Sequence, residues 1–431
     1  MLKFRFSLGP VLALFCAVGV AACGGNNNSS GNASVRLVNA TLTHSSLSLL
    51  ANSTAVGTAT ATDSVSDYAG VAAGSPTLQV NDAVTASALA TLSPSVGANA
   101  HYVLVAYENG GIVRTTVIAE DVAAPVAGTA SLRVFNAATD AGAIDVYVTD
   151  PAADITASSP SFSFGSSTVL QSSSFLSITP GTYRIRVTGV GNSADLRLDI
   201  PSIVLTAQSV DAVILTPTTG GALVNGAFLV QQSTYMAARN KSARVRLAAA
   251  VAGGATVTAS SGTTPIGTAV TSPAVGAYTL VPAGGPLNIS VNGASVGAPV
   301  NLPTAGSDTT LLIYGAAGAP SAKLLIDDNH LPTLASNLKL RLINGITGAA
   351  APPLTLNAAF AVLASNIQPG AASTYGVVAA STSLRLDVFS PNSLTSLFPA
   401  LNSLSVPGNA VYTLFVLGDA GAPSALLQRD R

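Results

Sequence analysis

In Asp195-Leu196-Arg197-Leu198-Asp199-Ile200, leucine and isoleucine alternate with charged residues, and Tyr183, Ile185 and Val187 alternate with Arg184 and Arg186. A period of two sends successive side chains to opposite faces, so each stretch is expected to be a strand with one buried and one wetted face. Gly, Pro, Asn and Ser break the apolar runs at short intervals, as turns between short strands require. The alanine-rich run 248–255 reads as strand despite its helix propensity, because it copies a segment found elsewhere as a strand and contains Gly253-Gly254. The run 358–364 is compatible with helix or strand.

The pattern recurs. Val35-Arg36-Leu37-Val38-Asn39-Ala40 reappears as Leu132-Arg133-Val134-Phe135-Asn136-Ala137, as Val245-Arg246-Leu247-Ala248-Ala249-Ala250 and as Leu340-Arg341-Leu342-Ile343-Asn344-Gly345. The arginines are 97, 113 and 95 residues apart. Downstream of each stands an aromatic residue, then an aliphatic three positions later and a small residue six positions later. These are Tyr68, Val71 and Gly74; Phe175, Ile178 and Gly181; Tyr278, Val281 and Gly284; and Tyr375, Val378 and Ser381. A third apolar segment entering a turn closes each unit. Three anchors in one order, four times over, imply tandem copies of one domain. Short strands in units of about 100 residues predict an all-β chain of four tandem immunoglobulin-like antiparallel β-sandwich domains. Their expected extents are 33–127, 128–238, 239–335 and 336–431. The tryptophan and disulfide of true immunoglobulin domains are absent.

The chain ahead of the repeats reads differently. Lys3 and Arg5 precede the apolar segment 8–22, which is too short for a stable membrane-spanning helix and well sized for a secretory signal. Residues 1–22 are therefore expected to be a signal peptide. Val20-Ala21-Ala22-Cys23 resembles the bacterial lipobox, which implies lipidation at Cys23 and anchoring to a membrane, the outer membrane by virtue of Gly24. Residues 23–32, rich in Gly, Asn and Ser, are expected to form a flexible tether. Of the two cysteines, Cys16 leaves with the signal peptide, so Cys23 has no partner within the chain.

Composition narrows the chemistry. Charged residues are only 9% of the chain and the net charge is −1, with no lysine or arginine run, which argues against nucleic acid as a partner. Gly293-Ala294-Ser295-Val296-Gly297 matches a nucleophile-elbow pattern, but Pro299 and Pro303 follow where that motif needs a helix. Ser336-Asn337-Leu338-Lys339 fits S-x-x-K on an expected strand. His44, His101 and His330 lack metal-ligand spacing, and no metal or cofactor is expected. Asp327-Asp328 at the third boundary offers too few oxygens for calcium and reads as a solvated strand end. Tyr68, Tyr183, Tyr278, Tyr375 and Tyr412 fall at the repeated anchors and are expected in the core. Tyr107 and Tyr147 are the better candidates for an exposed, sugar-stacking surface, although a place in the core or at a sheet edge is the expectation for each.

In the second unit, Ala143-Ile144-Asp145-Val146-Tyr147-Val148 followed by Thr179-Pro180-Gly181-Thr182-Tyr183 resembles a bacterial family of exported repeat domains of unknown function, over about 128–232. The resemblance implies secreted or lipid-anchored sandwiches and carries no catalytic residues. The expectation is a non-catalytic, lipid-anchored cell-envelope protein, its units strung as a rod or bent chain, acting in adhesion, scaffolding or protein interaction. A carbohydrate- or ligand-binding module is the alternative. An exported hydrolase, using Ser295 with His330, is the remote one.

Overall fold

The computed structural model describes residues 31–297, 301–348, 350–390, 397 and 400–431. The expected signal peptide and Cys23 lie outside the described residues. Gly31 and Asn32, expected in the tether, already belong to the fold: Asn32 begins the strand Asn32–Ala40, and the Gly31 carbonyl accepts from Ala73 N at 3.1 Å.

Among the described residues the strands form eight sheets of four to six strands each. They fall in pairs whose members lie within 32–119, 130–238, 242–327 and 337–429. In the first repeat, the outer sheet runs Thr54–Ala61, Ser46–Ala51, Leu78–Asp82, Ala88–Leu92. The inner sheet runs from the split strand Ser64–Val65 and Ala69–Ala72 through Asn32–Ala40 and His101–Asn109 to Ile112–Ala119. The sandwiches are antiparallel except at one pairing in each inner sheet. There the opening strand lies parallel to the first strand of the closing hairpin, with Ser34 opposite His101 and Ala40 opposite Tyr107. The later repeats pair Ala130–Asn136 with Val210–Pro217, Ser242–Val251 with Asp308–Ala316, and Asn337–Thr347 with Ala410–Asp419 in the same way. Parallel neighbours cannot be joined by a hairpin, so the chain leaves the opening strand, builds the outer sheet and returns.

The opening strand carries buried apolar residues on both of its faces, and this decides the larger architecture. Val35 and Leu37 face the sandwich interior with Leu47, Leu78 and Val80. Val38 and Ala40 face the other way and pack on Phe135, Ile214 and Leu229 of the second repeat. In the same manner Ala248, Ala250 and Leu312 meet Ile343, Phe415 and Leu417 of the fourth. The inner sheets therefore stack face to face, first on second and third on fourth. Sheets with two apolar faces bury both rather than expose one, so the units strung along the chain are also packed in pairs. Gly345 shows how close this packing is, since a Cβ there would stand 2.6 Å from Leu417 and 2.9 Å from Ala250.

The run 358–364 is a hairpin, Leu354–Ala358 turning into Ala361–Ile367, with positive φ at both Ala359 and Phe360. A two-residue turn of that kind matches the twist of paired strands, and cross-strand pairing overrides alanine's helix preference.

Candidate functional site

Each opening-strand arginine lies on the face turned toward the neighbouring sandwich, where it stacks on the aromatic anchor of its own repeat. The guanidinium carbon is 4.9 Å from the ring centre in Arg36–Tyr68, 4.7 Å in Arg133–Phe175, 4.6 Å in Arg246–Tyr278 and 4.7 Å in Arg341–Tyr375. The expectation of tyrosines buried in sandwich cores is thus corrected for Tyr68, Tyr278 and Tyr375, which cover cations instead. Tyr412 does pack in the fourth core.

Between the third and fourth repeats two such stacks meet in a closed ionic cluster. Arg341 donates to Asp327 across the interface, and Arg246 donates to Asp430. Tyr278 and Thr310 donate to Asp327 at 2.5 and 2.7 Å, while Thr413 donates to Asp430 at 2.5 Å. Asp327 has no exposed surface. Burial by itself would raise its pKa, yet Arg341 and Arg246 hold it below the ordinary carboxylate range. Burial and the Asp327 carboxylate push the Tyr278 phenol well up. The two halves repeat one another, so each sandwich supplies the acid that neutralises its neighbour's arginine.

In the first pair the acid serves the arginine of its own sandwich. Arg36 pairs with Glu120, donating from Nε at 2.9 Å, and crosses the interface to the Ser233 carbonyl at 3.0 Å. Tyr68 also donates to Glu120. In the second repeat the corresponding residues are Phe175, Ala212 and Gln231, none of them acidic or hydroxylated. Gln231 instead clamps Val122, accepting from its N–H at 3.1 Å and donating to its carbonyl at 2.8 Å. Arg133 forms no ion pair among the described residues. It lies between Phe135 and Phe175 and donates to the Ala119 carbonyl at 3.3 Å.

A two-lobed crevice opens where the pairs meet, its lobes of about 370 and 360 Å³ sharing Gly110, Asp140, Leu331 and Thr333. Glu108 reaches one lobe with its carboxylate accepting from Leu42 N at 3.0 Å and from Thr43. His330 borders the same lobe, its Nδ1 2.7 Å from Asp328 and its Nε2 3.4 Å from Asp140.

The other sequence candidates are dispersed. Ser295 stands exposed on the short strand Ala294–Val296, opposite Ser290, and the described residues between it and Asp308 include no helix for a nucleophile elbow. No hydrogen bond joins it to His330. Lys339 lies on the strand Asn337–Thr347 and pairs with Asp328 at 2.6 Å. His44 bonds Asp82 at 2.7 Å, and His101 bonds Asp121 at 3.2 Å. Asp327 and Asp328, read as a solvated strand end, are committed to arginine in one case and to His330 and Lys339 in the other. Among the described residues no three His, Cys, Asp or Glu side chains assemble as a metal site. Tyr107 and Tyr147, the candidates for a sugar-stacking surface, are 3% and 4% exposed, in line with the core or edge placement expected of them. Tyr107 belongs to the apolar contact between the first two sandwiches, an interface that no local pattern reveals.

Residues 33–147 match a family model described as Domain of unknown function (DUF4397). The match spans the first sandwich and the opening of the second, reaching Tyr147, rather than the 128–232 stretch that carried the resemblance. No curated protein matches the chain. Among solved structures, a candidate cell adhesion protein from Bacteroides uniformis aligns at 13% identity over 47% of this chain and 99% of its own, with a TM-score of 0.21. The Bacillus anthracis TIE protein aligns at 8% identity over 86% of this chain and 65% of its own, with a TM-score of 0.13. Apo AztD from Citrobacter koseri aligns at 11% identity over 85% and 97%, with a TM-score of 0.15.

The ionic clusters are the feature that sequence reading missed. Their signal was present: the first two anchors supply the arginine and its aromatic partner, and the closing segments end in Glu120, Gln231, Asp327 and Asp430.

Proposed function

We propose that this is a non-catalytic protein of the bacterial cell envelope, anchored through lipid on Cys23 and acting in adhesion, scaffolding or protein interaction. The observation that carries the reading is where buried charge is spent. Arg246 and Arg341 and their acids hold the third sandwich to the fourth. Arg36, paired with Glu120 of its own sandwich, reaches across to the Ser233 carbonyl of the second, and the sequence's best nucleophile, Ser295, stands apart from His330. A chain that invests its ionic groups in rigid stacking is built to present surfaces. The family match to a domain of unknown function fits an exported repeat protein and names no chemistry. Tyr107 and Tyr147 no longer support the glycan-stacking alternative, since neither ring is open to a ligand.

Two experiments test this. Cys23→Ala should abolish incorporation of labelled palmitate and leave an unprocessed or soluble product; palmitate retained by that variant removes the anchor. The lipid-free mature chain, passed over envelope extract and a glycan panel, should retain a protein ligand. Substrate turnover that survives rigorous purification would sink the non-catalytic reading.

A further inference from the structure

Residues 328–330, at the end of the third sandwich, cross residues 217–221 of the second, and this crossing joins the two sandwich pairs. Gly220 and Gly221 permit backbone contact: a Cβ on either would lie 2.4 Å from a backbone nitrogen, of Asp308 and His330 respectively. Gly220 N donates to the Gly306 carbonyl at 2.9 Å, and Asn329 N donates to the Gly220 carbonyl at 3.0 Å. The His330 ring spans the same point. Its Nδ1 is 2.7 Å from Asp328 Oδ1, and its Nε2 is 3.0 Å from the Thr218 carbonyl oxygen. A carbonyl and an ionised carboxylate only accept hydrogen bonds. A neutral imidazole carries one N–H, so one contact would set lone pair against lone pair, whereas an imidazolium satisfies both.

We propose that this crossing is a proton-operated latch: His330 docks as an imidazolium, and loss of its proton weakens the hold of the second sandwich on the third.

The surrounding charges agree. Asp328 faces the ring from its own loop and Asp140 from the turn Thr139–Ala141, 3.4 Å from Nε2. Lys339 approaches from the fourth sandwich and opposes the charge, but its ammonium is spent on the second oxygen of Asp328 at 2.6 Å. Burial disfavours the charged ring; the two carboxylates outweigh it and raise the His330 pKa above its ordinary value.

A second proton belongs to the same crossing. Asn329 Nδ2 donates to Asp308 Oδ2 at 2.7 Å, while the Oδ1 atoms of both side chains are buried without a hydrogen-bond partner. A proton on the Asp308 carboxyl supplies the donor that this pair lacks. Burial pushes Asp308 up to about 6, with Asp327 adding to the rise while Arg244, Asn329 and Arg431 work against it. Both groups hold their protons more tightly docked than free, so the latch strengthens in mild acid and weakens as pH rises.

The chain has three histidines, so the full-length protein labelled at the histidine ring carbons gives three titrating signals, and His330→Gln identifies the relevant one. Its midpoint should lie above the ordinary value of about 6.5, and Asp328→Asn should lower it. Amide hydrogen exchange at Gly220 and Asn329, whose N–H groups bond across the crossing, should be slower in the wild type than in His330→Gln on the acid side. The excess protection should reach about tenfold for each unit by which the midpoint exceeds its free value, and vanish above that midpoint. A ring midpoint at or below the ordinary value, or a wild-type to variant ratio constant with pH, overturns the latch. Should His330→Gln fail to fold, Asp328→Asn keeps the ring and supports the same comparison.

Discussion

Arg341 is 1% exposed, and a guanidinium in that position is tolerable only because Asp327, Thr413 and the Ile326 carbonyl meet it. Removing one partner of a buried pair leaves the other charge uncompensated, a larger loss than the pair's net worth. Asp327→Asn is expected to destabilise the protein by about 3–5 kcal/mol in chemical denaturation. Arg133→Ala, which breaks no ion pair and loses only its stacking on Phe135 and Phe175, should cost about 1–2 kcal/mol in the same assay. Equal losses for the two would contradict this account. At this scale the sequence displays the arginine and the aromatic as repeated features but not their stacking. Partners so far apart along the chain meet only when the inner sheet closes.

The strand Asn337–Thr347 puts Leu338, Leu340 and Leu342 into the fourth core and turns Arg341 and Ile343 toward the third sandwich. Alternation forecasts strands here and throughout, because period two is a local property of the backbone. It does not forecast that the second face is also buried: a strand alternating between two apolar sets looks, residue by residue, like a single apolar run. Gly345 tests the close packing of that second face. Gly345→Val should cost about 1–3 kcal/mol by overpacking against Leu417 and Ala250. Gly421→Val, at a position with no atom within 4 Å of a built Cβ, should leave the denaturation midpoint nearly unchanged. Similar midpoints for both variants would mean that the stacked faces contribute little.

Over the whole molecule, ionisation sets an unusual pH response. Asp308 is raised from 3.8 to about 6 by burial, so its contribution to stability is complete below the unfolded value and fades as pH rises through the folded one. Asp327 and Asp328 are depressed, so their contribution is present above the unfolded value and is lost only in stronger acid. Stability should therefore fall by about 2–3 kcal/mol between about pH 4 and about pH 7 on account of Asp308, and Asp308→Asn should flatten that slope. An unchanged slope in the variant would assign the pH response elsewhere. The sequence by itself determined the all-β class, the fourfold repetition and the turns, since alternation, anchor spacing and Gly/Pro punctuation are written in neighbouring residues. Only the tertiary structure decided that the sandwiches stack in pairs, that Tyr107 is covered, that the arginines are clamped and that His330 bridges two halves. Those outcomes depend on which apolar faces find one another and on which buried charges then require partners, and both are settled by contacts between residues remote in the chain.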